Sequence, residues 1–465
     1  MKIFSKQFLL GLIFSFAAIF SGIVASGLVD LAGKRYGLLL ALPAVLVIAL
    51  ILLLDKTLLL VLIILSRASL DHLLDATKFA GIGLGGLLNL LMVVIGLFAL
   101  YKLERPLRRV VLVVWLPFLV MYAYGITISP EKISSIRVFI TQLSTAGMFA
   151  IAMYVVQTRE DFTKWLKIIL CSCLVPIVYG VVTIIRPVGY YLMEHRLAST
   201  FAHPNILAFY SVLMILVGFY LWKSKQFPEH SLLKKLLPFI VLGLIAMLLL
   251  TQTRSAWVAF FAFFGFYATF IERKYLPWLL VIPVVALMIP EIRDRLLDLT
   301  SGNQVLAYAK LNSYAWRKYL WESALHWMQV SKYLTGYGAD AFLHYSVTFF
   351  PLSNDRPVAA HNVYLQMFFE MGIFGLLAYA WMFLKVGQTA LKIVSHDRLL
   401  KTMVLISIMS YMVYSYSDNL LSYLNFNWYF WFFLGAAIGW QYRIKLTPQA
   451  DPSISSVTTT ASGRV

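Results

Sequence analysis

Residues 235–271 read KLLPFIVLGLIAMLLL, then TQTR, then SAWVAFFAFFGFYATFI. Two apolar runs, Lys235–Leu250 and Ser255–Ile271, meet across a four-residue turn that carries Arg254. Each run approaches the ~17–25 residues that take a helix across the hydrocarbon core of a bilayer. The apolar residues are continuous rather than alternating with period two, so helices are expected and a β-barrel is not. An arginine where two such helices meet is costly unless it reaches water, a headgroup or an anionic ligand.

Runs of this kind recur almost throughout. Working outward, the earlier spans are Phe8–Val29, Tyr36–Leu54, Thr57–Leu65, Ile82–Tyr101, Val110–Ile128, Ile136–Val156, Trp165–Ile185 and Phe201–Trp222. The later ones are Tyr275–Ile289, Val363–Lys385, Leu399–Ser415 and Leu424–Trp440. Thr57–Leu65 is too short to cross alone, so the expectation is about 12–14 transmembrane helices in an all-α, polytopic membrane protein. The 465 residues are 61% hydrophobic and 13% charged, against roughly half and a quarter in soluble domains. Met1–Gly27 has the basic start and apolar run of a signal peptide, but the run is long enough to read as an uncleaved first span. The two cysteines, Cys171 and Cys173, sit inside one apolar run and suggest neither a disulfide framework nor a metal site.

The net charge of +18 could suit a nucleic-acid binder, but the basic residues lie in short loops between spans, where they set orientation. Lys102, Arg105, Arg108 and Arg109 form one such loop; Lys223, Lys225, Lys234 and Lys235 form another; Lys385, Lys392, Arg398 and Lys401 form a third. Alternation puts these loops, with Lys2, Lys6, Arg443 and Lys445, on the cytoplasmic side. Lys34-Arg35, Arg67 and Lys78 run against this pattern. The intervals expected outside are then Ser129–Ser135, Arg186–Thr200, Thr251–Arg254, Pro290–Ala360 and Tyr416–Tyr423. Residues 1–445 read as one transmembrane unit with 290–360 as a lid loop inside it. Residues 446–465, rich in Ser, Thr and Pro, read as a disordered cytoplasmic tail.

The lid is the one long polar interval. Leu306–Tyr333 places Tyr308, Leu311, Ala315, Tyr319, Leu320, Trp327 and Val330 at roughly helical spacing. An amphipathic helix is expected there, with Trp316, Trp321 and Trp327 suited to the membrane interface. Gly336-Tyr337-Gly338 then turns the chain.

Three constellations can carry chemistry, all on the outside. Arg196 precedes Pro204, which fits the first turn of a helix; a helix start next to a fixed positive charge favours anions. Arg254 opens a second helix, where Thr251, Thr253 or Ser255 could serve as cap. Either arginine can also be read as a snorkelling anchor. His361-Asn362 opens a third helix, and His361 is either a cap or packing residue or a proton acceptor. Guanidinium groups form paired, charge-assisted bonds to phosphate oxygens. Two of them with a possible base therefore suggest transfer from a phosphate-linked donor. Glu291, Asp294 and Asp298 alternate with Arg293 and Arg295, which reads as a solvated helical turn, and there is no Walker A loop.

The ordered set Arg196-x-x-Ser199-Thr200-Phe201-x-x-Pro204-Asn205, Thr251-x-Thr253-Arg254-Ser255-Ala256, Arg317…Trp321…Gly336-Tyr337-Gly338 and His361-Asn362-x-Tyr364-Leu365…Glu370-x-Gly372-x-x-Gly375 resembles the O-antigen ligase and polymerase superfamily. Ser199 stands where that family often has Gly, and Thr251–Arg254 where it often has Ser-x-Ser-Arg. The resemblance implies a bacterial inner-membrane enzyme, facing the periplasm, that moves a glycan from undecaprenyl diphosphate to an acceptor hydroxyl on lipid A–core. It implies no metal and no cofactor. Arg196 and Arg254 would engage the diphosphate and His361 would activate the acceptor. Asn205, Asn362, Arg317 and Tyr337 are further substrate-binding candidates on the same motifs. A polymerase joining undecaprenyl-linked repeat units is the near alternative; a lipid or sugar transporter is the distant one. A transporter would be expected to place charged or broken helices near the bilayer midplane.

Overall fold

The structure, a computed structural model, describes residues 55–71, 74, 78–79, 82–186, 192–193, 196–227, 231–297, 311–394 and 397–446. The spans expected at Phe8–Val29 and Tyr36–Leu54, and the tail at 446–465 beyond its first residue, lie outside these residues.

Every later apolar run is helical. The chain runs through α1 (Lys56–Arg67), α2 (Leu84–Lys102), α3 (Arg105–Ile128), α4 (Lys132–Val155), α5 (Arg159–Cys171) and α6 (Leu174–Ile185). It continues through α7 (Pro204–Lys223), α8 (Leu232–Leu250), α9 (Arg254–Phe270), α10 (Leu276–Leu287) and α11 (Pro290–Leu297). The lid helices α12 (Ser313–Trp327) and α13 (Ala341–Phe349) follow, then α14 (Val363–Ile393), α15 (Arg398–Ser417) and α16 (Leu424–Leu446). Among the described residues, 8 helical stretches are long and apolar enough to cross a membrane. This is a multi-pass helical membrane protein.

Two helices form the axis of the bundle. Along α16, Phe426 and Trp428 to Ile438 are buried, most of them aromatic. Trp431 packs against Trp115 of α3 and Phe149 of α4. Helix α7 is buried on nearly every face. A helix apolar all round belongs inside a bundle; one with an exposed apolar face meets lipid. Helix α10 is of the second kind, exposing Leu280, Val284 and Trp278.

The run expected as one span at Trp165–Ile185 falls within one spanning stretch, Arg159–Ile185, which a turn at Ser172-Cys173 divides into two helical segments. Pro176 has no N–H to give the Ser172 carbonyl, so the ladder breaks there. Cys171 ends α5 and Cys173 caps α6; both are free thiols.

The lid helix is shorter than the pattern from Leu306 to Tyr333 suggests. Asn312 caps it by accepting from the backbone of Tyr314 and Ala315, and the helix ends at Trp327. Gln329 N donates instead to the Tyr337 hydroxyl at 2.9 Å. Val330, expected on the apolar face, is exposed. Trp316, Trp321 and Trp327 pack on a second core formed by Leu320, Ala324, Phe342, Phe349 and Phe369. These contacts hold the lid together.

This lid docks on a kink in α14. Gly372 has φ +64° and ψ −161°, which interrupts the helix. The freed carbonyls of Phe369 and Glu370 accept from the backbone N–H groups of Tyr337 and Gly338, at 3.0 and 2.7 Å. Ile373 N donates back to Tyr333 O at 2.8 Å. Gly336 also has positive φ, and a Cβ there would run into the Glu370 carbonyl. The far side of the lid loop bonds the α3–α4 turn, where Ser129 and Ser135 both donate to Ala339 O.

Candidate functional site

The lid end of α7, α9, α14 and α15 gathers most of the polar side chains singled out in the sequence. One two-stranded hairpin pairs β1 (Lys78–Phe79) with β2 (Ile82–Gly83); a second pairs β3 (Leu192–Met193) with β4 (Arg196–Leu197) and delivers Arg196 to this end. A turn follows in which Ser199 takes φ +52°. The turn is braced from behind. Ser199 donates to Pro176 O, Thr200 to Ala68 O, and Ala202 N donates to Asp71, which pairs with Arg67. His203 then caps α7, its Nδ1 accepting from Asn205 N at 3.1 Å, and Pro204 sits in the first turn as expected.

Arg196 ties three elements together. Nε donates to Thr251 O at 2.8 Å, and Nη2 donates to Asn205 Oδ1 at 2.5 Å and to Thr253 Oγ1 at 3.0 Å. Thr253 stands at the N-cap of α9 but makes no capping bond. Its hydroxyl donates to Asn205 Oδ1 instead. Arg254 begins α9 and reaches the lid, with Nη2 3.5 Å from Ser313 Oγ. Arg295 of α11 donates from Nε to Gln252 O at 3.4 Å. The α8–α9 turn is thus bracketed by guanidinium groups from β4 and α11 and carries its own.

The sequence reading missed the residue that joins these parts. Asp418 follows α15 and is 1% exposed. It accepts from Asn205 Nδ2, from the Tyr423 hydroxyl at 2.5 Å and from Asn419 N at 2.9 Å. Burial alone would raise its pKa, but His361, Arg317 and Tyr423 outweigh it and hold the carboxyl below its ordinary range. Arg317, on lid helix α12, donates to the adjoining Ser417 O at 2.7 Å. The signal was present as the lone acid in the interval 416–423. No spacing rule tied it to motifs more than forty residues away.

His361 lies between lid and bundle with φ +49°. Its backbone N–H donates to Asn419 Oδ1 at 2.7 Å, and its Nδ1 stands 3.1 Å from Asn419 Nδ2 and 3.6 Å from Asp418 Oδ1. The Trp316 ring meets it edge-on at 6.1 Å. His203 stacks near Tyr423. Burial pushes the His203 imidazole below its ordinary pKa; Asp418 opposes this, while Arg196, His361 and Arg317 add to it.

The structure therefore links Arg196, Asn205, Asp418 and His361 through successive contacts, with Arg254 on the adjoining turn and Arg317 beside Asp418. Two other candidates have local partners of their own. Asn362 caps α14 by accepting from Leu365 N at 3.1 Å. Tyr337 stacks on Phe369 inside the lid. Among the described residues no group of three or more His, Cys, Asp or Glu has the proximity of a metal site.

The fold and site define a class: a multi-pass helical membrane protein whose lidded end is lined by guanidinium, amide and imidazole groups. Residues 239–380 form a stretch that matches the family model described as O-antigen ligase. It runs from within α8, through the lid, to within α14, and so holds Arg254, Arg317, Tyr337, His361 and Asn362. Arg196, Asn205 and Asp418 lie outside the matched residues and reach the same site through the fold. No curated protein matches the chain.

Proposed function

We propose that the protein is an inner-membrane glycosyltransferase of O-antigen ligase type. It moves a glycan from undecaprenyl diphosphate to an acceptor hydroxyl of lipid A–core at the periplasmic face. The observation that carries this is the polar chain from Arg196 through Asn205 and Asp418 to His361, beside Arg254, in a chain of which residues 239–380 match the family model. Guanidinium groups suit a diphosphate because they match its oxygens with paired donors and hold the charge that develops as it leaves. In this reading they do the work a divalent cation does in many glycosyl transfers, so a chelator should leave the rate unchanged.

The lid supports enclosure of the reacting groups, since α12 touches the Arg254 turn through Ser313 and the α15 end through Arg317. The kink in α14 and the buried Glu370 lie seven to nine residues after that helix begins, at the lid end rather than the helix middle. This placement favours a site under a lid over a transport path through the bundle.

The test is transfer by purified protein in lipid nanodiscs, with a polyprenyl diphosphate glycan as donor. A ligase requires lipid A–core and yields glycosylated core. A polymerase lengthens the donor glycan with no core present. Failure to consume the donor under either condition rejects the transferase reading.

A further inference from the structure

The contacts around His361 decide which ring nitrogen carries its proton. The backbone N–H of His361 can only donate, and it donates to Asn419 Oδ1 at 2.7 Å. That fixes the oxygen end of the Asn419 amide. The amide nitrogen is then the atom 3.1 Å from His361 Nδ1. An amide NH₂ has no lone pair to offer, so Nδ1 must be the acceptor. A neutral imidazole has one acceptor nitrogen and one N–H. The proton of neutral His361 therefore sits on Nε2.

The other possible partner of Nδ1 does not compete. Asp418 Oδ1 is 3.6 Å away, beyond hydrogen-bond length, and it attracts the ring only when the imidazole is protonated. That oxygen already accepts from Tyr423 and from Asn419 N, and the other accepts from Asn205. Asn419 is held in place by the same carboxylate. His203 is set in the same way, because a backbone N–H donates to its Nδ1.

A general base needs a lone pair on the nitrogen that faces the substrate, and this tautomer has none on Nε2. Resting on the transferase reading above, we propose that His361 acts as a hydrogen-bond donor. Its Nε2–H, fixed by Asn419, holds an oxygen of the leaving diphosphate beside the guanidinium groups. The step balances without a side-chain base. The acceptor oxygen gives its electron pair to the anomeric carbon, and the bond from that carbon to the phosphoryl oxygen breaks. Its electron pair stays on the diphosphate, and the acceptor's proton passes to a diphosphate oxygen. Asn419 is then a positioning residue that sets the tautomer.

Two measurements test this on the full chain in nanodiscs. The first is ¹⁵N NMR of histidine-labelled wild-type protein, with His361 assigned by its loss in His361→Gln. An acceptor-type Nδ1 with a protonated Nε2 is expected; a protonated Nδ1 with an acceptor-type Nε2 overturns the proposal. The second is turnover of two variants. Glutamine places an amide N–H near the position of Nε2 but has no basic nitrogen. Removing one transition-state donor typically costs about 10²–10³ in rate, so His361→Ala should fall that far and His361→Gln should recover most of it. His361→Gln as slow as His361→Ala, in folded protein that still binds donor, overturns the proposal. Loss of the transferase reading itself would show separately, as absence of glycan transfer by the wild type, and the tautomer is read without any turnover.

Discussion

Asn205, in the first turn of α7, donates its side-chain N–H to the carboxylate of Asp418, 213 residues further along the chain. The bond closes the site, because the same amide accepts from Arg196 through its oxygen. Asp418→Ala would leave the donors of Asn205, Tyr423 and Asn419 without their acceptor inside the protein. Each unsatisfied buried donor costs about 1–3 kcal/mol. Asp418→Ala should therefore lower the unfolding temperature in detergent and abolish transfer together. The pH dependence follows from the depressed carboxyl of Asp418. Such a group contributes stability that is complete above its unfolded value, about pH 4. The contribution fades as pH falls below that. Wild type and Asp418→Ala should thus differ by a constant amount from pH 8 to pH 5, and converge only on stronger acidification. Convergence at neutral pH would contradict the assignment.

The lid makes a separate demand at its glycines. Gly336 and Gly372 both adopt positive φ, and a Cβ on either would strike the backbone of the other's segment. Gly336→Ala and Gly372→Ala should each detach the 333–339 loop from the α14 kink. Strain in this backbone region costs of order 1–3 kcal/mol before the clash is added. The expected result is faster proteolysis within the lid and loss of transfer. Gly387→Ala, where a Cβ meets nothing, should behave as wild type in the same assay. Equal protease resistance in all three would dissociate the lid from the kink.

How much of this was legible beforehand depended on range. The helices were legible because a continuous apolar run of spanning length has few other structures open to it. The break at Cys171–Cys173 escaped because Pro176 sits inside a run that hydropathy treats as uniform. The lid helix was seen, but too long, because helical spacing alone does not show that the Tyr337 hydroxyl captures Gln329 N. Arg196, Arg254 and His361 were legible as polar residues stranded beside helix starts. Asp418 and Asn419 were not, since they follow a helix end and gain meaning only from partners distant in sequence. The tautomer of His361 lay further still from reach, because it depends on which way one amide faces.

The orientation of the chain in the membrane can be tested at Asn354, an exposed turn residue in the lid with φ +50°. The positive-inside rule predicts that the lid lies outside. Asn354→Cys, in a background with Cys171 and Cys173 replaced by serine, should react with a membrane-impermeant thiol reagent added to intact spheroplasts. Lys225, on a turn at the opposite end of α7, gives the control: Lys225→Cys should react only after lysis. The reverse pattern would move the site to the cytoplasmic face and remove a periplasmic reaction.

The two motif arginines should fail in different ways. Arg196 uses Nε and Nη2 to join β4, α7 and the α8–α9 turn, so its geometry is part of the fold. Arg196→Lys keeps the charge but replaces a planar fork with a single ammonium. Several of those bonds would be lost, and stability should fall along with transfer. Arg254 meets the lid through a contact at 3.5 Å, and in the proposed reaction its fork holds the donor's diphosphate. Arg254→Lys should leave the unfolding temperature close to wild type while weakening donor binding. Losing a charge-assisted bond of this kind is worth roughly 1.5–3 kcal/mol, or about tenfold to a hundredfold in affinity. Binding of a polyprenyl diphosphate glycan, measured beside thermal unfolding for both variants, separates the roles. Unchanged donor affinity in a folded Arg254→Lys protein would take Arg254 out of the diphosphate site. A thermally unaltered Arg196→Lys that loses donor binding alone would make Arg196 a direct ligand rather than a joint of the fold.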